Sequence, residues 1–97
     1  MKIEKSINNS ELIIKLEGRL DTNTSHELEK EIQDLNGVTK LIFDFEKLEY
    51  ISSAGLRVLL ICQKKMNIQG KMLIKNANES IKEIFDITGF SDIITIQ

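Results

Sequence analysis

The stretch Leu41-Ile42-Phe43-Asp44-Phe45 narrows the possible folds more than any other part of this chain. It is apolar on both faces for most of its length, the pattern of a central strand covered on two sides. Such a strand needs strands beside it and helices over it, and the flanking sequence offers both. Ile3 and Ile7, then Leu12, Ile14 and Leu16, recur with period two on either side of Asn8-Asn9-Ser10, whose side chains favour a turn; this predicts an opening hairpin. Thr24-Ser25-His26-Glu27 has capping-box spacing, and Leu28, Ile32 and Leu35 follow at helical intervals before Gly37, which predicts a first helix. A second helix is expected from Ser52-Ser53 to about Ile68, ended by Gly70. Met72-Leu73-Ile74 reads as a short strand, Asn78 as the cap of a third helix closed by Gly89, and Ile93 to Ile96 as a last strand. The order is ββαβαβαβ, so the expectation is a single α/β domain over residues 1–97, a sandwich of a mixed sheet with helices packed on it.

Composition removes several function classes. Thirteen basic against fifteen acidic residues leave a net charge of −2, with no broad positive field to hold a nucleic-acid backbone. Cys62 is the one cysteine, which excludes a disulfide framework and a cysteine-ligated zinc site and fits a reducing cytoplasm. It lies within the longest apolar stretch, Val58 to Cys62, which is far shorter than a membrane span. A buried, inert thiol is expected there. The mixed-charge start Met1 to Lys5 does not resemble a signal peptide. No internal repeat or proline-rich linker marks a domain boundary.

Catalytic constellations fail one by one. Ser53-Ala54-Gly55 is half of a nucleophile elbow, but Ile51 stands where the preceding glycine is needed. His26, the one histidine, falls on the polar start of the first helix and reads as a solvated side chain. There is no glycine-rich phosphate loop, and Asp44 with Glu46 does not amount to a metal site. The expectation is a protein that is no enzyme and uses no cofactor or metal.

The segment from Leu48 to Leu60 is more informative. Ser52 and Ser53 stand at a strand-to-helix junction, where a hydroxyl can cap the helix and an added phosphate would meet free N–H groups and the positive end of the helix dipole. Gly55 follows in the first turn, either to let a partner approach the serine or to pack against the sheet. The run Val58-Leu59-Leu60-Ile61-Cys62 is apolar around its circumference, so part of it faces either a partner or the third helix and nearby loops.

Gly18-Arg19-Leu20-Asp21, the strand Leu41 to Phe45, Tyr50-Ile51-Ser52-Ser53-Ala54-Gly55-Leu56 and the helix from Asn78 to Gly89 together resemble the STAS domain family, specifically the stand-alone bacterial anti-sigma-factor antagonists. The resemblance covers nearly the whole chain. It implies a cytoplasmic module, monomeric when free, that binds an anti-sigma factor with serine kinase activity and so releases a sigma factor. Phosphorylation of a serine at the start of the second helix would break that complex, and a metal-dependent serine/threonine phosphatase would restore it. By motif the phosphorylated serine is Ser53, with Ser52 as the alternative, because Ser52 stands where the family commonly has aspartate. Asp21 matches a position of the partner-binding surface, which the resemblance extends to Ser52, Ser53, Gly55 and Leu56; a loop-stabilising hydrogen bond is the other reading of Asp21. A constitutive adaptor subunit of a transport or signalling complex is the alternative function, followed by small-ligand binding and, last, an esterase using Ser53.

Overall fold

The computed structural model describes residues 1–97. Strands β1 (Lys2–Asn8) and β2 (Glu11–Leu20) form the hairpin, followed by α1 (Ser25–Glu31), β3 (Lys40–Ile51), α2 (Ser53–Gln69), β4 (Lys71–Lys75), α3 (Glu79–Thr88), a short 3₁₀ turn at Phe90–Asp92, and β5 (Thr95–Ile96). The sheet order is β1-β2-β3-β4-β5, antiparallel between β1 and β2 and parallel across the rest. The hairpin turn uses Asn9 at φ 58°, a left-handed conformation that asparagine tolerates.

Leu12, Ile14 and Leu16 of β2, Leu41, Phe43 and Phe45 of β3, and Met72 and Ile74 of β4 join residues from all three helices in one core cluster of 24 side chains. These are alternate strand positions, so the helices cover one face of the sheet. The intervening positions Ile13, Ile42 and Leu73 are in register with one another on the other face. This corrects the two-sided cover expected for the central strand. Ile42 is 7% and Asp44 8% exposed although both lie outside that cluster. Their immediate neighbours in register, Ile13 and Leu73 beside Ile42 and Lys15 and Lys75 beside Asp44, supply the shielding that a helix layer would otherwise give.

Helix α1 is shorter than its periodicity predicts. It ends at Glu31, and Leu35 and Val38 enter the core from the loop that follows. That loop is tied down by Gln69, whose Nε2 donates to the carbonyls of Leu35 (2.6 Å) and Val38 (2.7 Å). The expected capping box does not form either. Thr24 is helical in φ and ψ, and its hydroxyl donates to Arg19 O at 2.7 Å and accepts from Asp21 N–H at 2.8 Å. Its helical backbone and these bonds turn the Thr24 hydroxyl toward the preceding turn and away from the helix N–H groups.

At the far end of α2, Gly70 is required by proximity. A Cβ there would lie 2.0 Å from the carbonyl oxygen of Thr39, so only glycine lets the chain pass into β4. Helix α3 starts and stops as expected, with Asn78 Oδ1 accepting from Ile81 N–H at 2.8 Å and Gly89 left-handed at φ 81°.

Candidate functional site at the carboxyl edge of the sheet

The carboxyl ends of β2 and β3 finish side by side, and the loops leaving them bring the candidate residues together. Between the two strands β3 carries one extra residue after Lys15 and another after Gly18, so Arg19 comes into register with Tyr50 and Leu20 with Ile51. Ser52 N–H then donates to Leu20 O at 2.9 Å, which fixes the entry to α2 against the end of β2. These irregularities aim Leu48 and Ile51 into the core while Tyr50 stays 38% exposed.

The two serines take different roles. Ser52 is extended, at φ −100° and ψ 176°, and is the N-cap of α2: its Oγ accepts from Gly55 N–H at 3.4 Å, a long bond. Ser53 is the first helical residue, is exposed, and its hydroxyl has no hydrogen-bond partner. No acidic residue stands in the first turn of this helix. Its free N–H groups and positive dipole end are therefore not complemented by a carboxylate of the helix itself.

Gly55 has a packing explanation. A Cβ on it would lie 2.7 Å from Leu20 Cγ and 3.0 Å from Ile51 Cγ1, and the residue is buried. Its bare Cα serves the contact between α2 and the sheet, which is the packing reading of Gly55. Leu56, 7% exposed, belongs to the same core and contributes at most a rim to any surface. The apolar run is likewise mostly interior: Val58, Leu59 and Cys62 are buried and Leu60 and Ile61 half-buried. Burial pushes the Cys62 thiol up to about 12, against a weaker opposing pull from Lys65. A thiol of that kind is inert at neutral pH, as the sequence predicts.

Asp21 organises the β2–α1 turn. Its Oδ1 accepts from the N–H groups of Asn23 and Thr24, both at 3.0 Å, and lies 3.2 Å from the Thr24 hydroxyl oxygen. The Thr24 N–H bond is the main reason its carboxyl is held below the ordinary range; desolvation opposes this, and Arg19 adds a smaller pull. The loop-stabilising reading of Asp21 thus has direct support, and the other carboxylate oxygen lies 4.0 Å from Arg19 Nε.

Two neighbours escape a sequence-level reading. Arg19 lies over the Tyr50 ring with its guanidinium carbon 4.2 Å from the centroid, a cation–π contact beside Asp21. Asn78 donates its side-chain N–H to Leu48 O at 3.2 Å, tying the start of α3 to β3. Each pairing depends on the extra residues in β3, which no local pattern announces. His26 is exposed on α1 and makes no catalytic pair. No three side chains converge as metal ligands, and no helix is long and apolar enough to cross a membrane. A hollow of about 160 Å³ lies on the uncovered face of the sheet, lined by Lys15, Asp44, Glu46 and Lys47 among others, and neither serine borders it.

The STAS domain model matches residues 2–97. This chain belongs to the STAS domain family. It is 34% identical over 88 residues to BtrV of Bordetella bronchiseptica, a candidate anti-sigma factor antagonist by name, covering 88% of this chain and 76% of that protein. Among solved structures, the anti-sigma factor antagonist SpoIIAA of Bacillus in its unphosphorylated form superposes with a TM-score of 0.80 at 18% identity, over 99% of this chain and 87% of that one. Its phosphorylated form gives 0.78. A similarly described protein of Thermotoga maritima gives 0.89 at 20% identity, over 97% of this chain and 84% of that one. The STAS fold accordingly has the mixed sheet and element order expected from the sequence.

Proposed function

We propose that this STAS domain is an anti-sigma-factor antagonist whose binding is switched at Ser53. The observation that carries the proposal is the division of labour at the α2 start. Ser52 supplies the cap, so the neighbouring Ser53 hydroxyl is exposed and free of structural duty. A relative at 34% identity carries the antagonist name, and SpoIIAA has been solved in both phosphorylation states. The partner in this reading is an anti-sigma factor with serine kinase activity. Ser53 Oγ attacks the γ-phosphorus of ATP, the bond to ADP breaks, and the hydroxyl proton leaves to the kinase. The product carries about −1.5 to −2 charges where the interface was built for a hydroxyl, and the complex is lost; a serine/threonine phosphatase reverses this. The domain itself is no enzyme: Ser53 lacks a positioned base. It acts in the cytoplasm without cofactor, monomeric until it meets its partner.

The test is mass-spectrometric localisation of phosphate after incubation with the kinase and ATP, together with binding of variants. Ser53→Ala should bind and resist phosphorylation, Ser53→Asp should fold and bind poorly, and Ser52→Ala should remain a substrate. Phosphate on Ser52 alone would move the switch by one residue. No phosphate with an active partner kinase would favour the constitutive adaptor.

A further inference from the structure

We propose that Arg57 is the second half of the switch: its guanidinium pairs in cis with a phosphate on Ser53. The inference rests on Ser53 being the modified serine and adds what the chain itself does with the charge. Ser53 and Arg57 are four residues apart on α2, so their side chains are neighbours on one helix face, and both are exposed. Arg57 makes no ion pair, in contrast to Lys2, Lys5, Arg19 and Lys47, each of which has a carboxylate within 4.0 Å. Nothing on its own helix competes for it, because the 17 residues of α2 include Arg57, Lys64 and Lys65 and no carboxylate. On the adjoining segments the charged or titratable groups are Arg19, Asp21, His26 and Glu27 around the β2–α1 turn and Glu49 and Tyr50 at the end of β3, and none of them has an ion pair with Arg57. Asp21 is already engaged by Asn23, Thr24 and Arg19.

A phosphate at the first helical position meets free N–H groups from below and this guanidinium from one turn above, and arginine's planar fork suits a phosphate's oxygens. The pairing has a consequence for regulation. In the unmodified protein Arg57 is a cation offered to a partner beside Ser53, and in the phosphorylated protein the same cation is taken by the phosphate. Phosphorylation then adds negative charge and withdraws positive charge from one face in a single step.

The test needs no kinase. Phosphoserine is installed at position 53 during synthesis of the full chain, and its ³¹P signal is titrated in the otherwise unchanged protein and in Arg57→Gln and Arg57→Lys. A cation in contact favours the dianion, so the second phosphate pKa, ordinarily near 6, should rise by about half a unit in Arg57→Gln and by less in Arg57→Lys. Raising the salt to about 1 M should shrink the difference, and the Arg57 Nε–H resonance should shift on phosphorylation. Coincident titrations of wild type and Arg57→Gln, with both folded by their amide spectra, would overturn the pairing and leave the antagonist reading standing. Failure of any kinase to modify Ser53 would instead overturn that reading and leave the titration result unchanged.

Discussion

Helix α3 begins with Asn78 Oδ1 accepting Ile81 N–H at 2.8 Å and with Glu79 in its first turn, whereas α2 begins with Ser52 Oγ 3.4 Å from Gly55 N and no acid in its first turn. The α3 start is further tied down, because the Asn78 amide also donates to Leu48 O and the preceding Asn76, left-handed at φ 63°, donates to Asp44 at 3.0 Å. Both helices leave the carboxyl edge of parallel strands. One has a short side-chain cap and an acid in its first turn; the other keeps a weak cap, an exposed hydroxyl and a positive end with no acid in its first turn. A helix start that folding leaves electrostatically unfinished is one that can accept a phosphate without unfolding.

The comparison breaks most severely at the one place where the α2 start is tight. Gly55→Ala places a methyl group 2.7 Å from Leu20 Cγ, and Leu20 and Ile51 are too deeply buried to yield freely. Overpacking typically costs about 1–3 kcal/mol and the gain in helix propensity returns about 1, so a net loss of up to about 2 kcal/mol is expected from urea denaturation. Gly55→Ser should lose at least as much. A neutral result would show that the packing can relax.

Asn78→Ala comes next, with a loss of about 1–2 kcal/mol, since it removes a short cap and the bond to Leu48 O together. Ser52→Ala should lose about 0.5 kcal/mol, the low end of cap substitutions, because its bond is long. Equal losses for the two caps, measured in the same denaturant series, would erase the contrast between the helix starts.

Acid sharpens the comparison in another way. Burial tends to raise the carboxyl pKa of Asp44, but the Asn76 side chain, the Glu46 N–H and the nearby Lys75 and Lys15 outweigh it and hold the value below 3.8. A depressed folded pKa means that the ionised form stabilises the fold. Its contribution is complete above the unfolded value and is lost as pH falls through the folded one, so Asp44→Asn should remove part of the stability loss seen between about pH 5 and pH 2. In amide spectra, acid should disturb Asn76 and the start of α3 before it disturbs Gly55. Simultaneous loss of both would contradict the assignment.

The smallest effect belongs to Ser53. Ser53→Asp should leave stability within about 1 kcal/mol of wild type, slightly raised by the dipole, because the side chain supports nothing else. A marked folding defect would give Ser53 a structural duty that the geometry does not show.

Much of this was legible in the sequence because it is local. The alternation in β1 and β2, the apolar run of β3, the stop at Gly70 and the Asn78 and Gly89 caps of α3 each depend on residues within a few positions of one another, and backbone sterics and capping act over that range. The serine pair at the α2 start was visible for the same reason. Tertiary structure decided what depends on approach across the chain. It engaged Thr24 in the turn before α1 and so cancelled a capping box, brought Leu35 and Val38 into the core from a loop, and put the helices on one side of the sheet. It set Arg19 on Tyr50 through the extra residues in β3, and it turned Gly55 toward Leu20. Which serine caps and which stays free was also settled there: once Ser52 N–H is held by Leu20 O, the helix can only begin at Ser53, and the hydroxyl one residue on is left to the solvent.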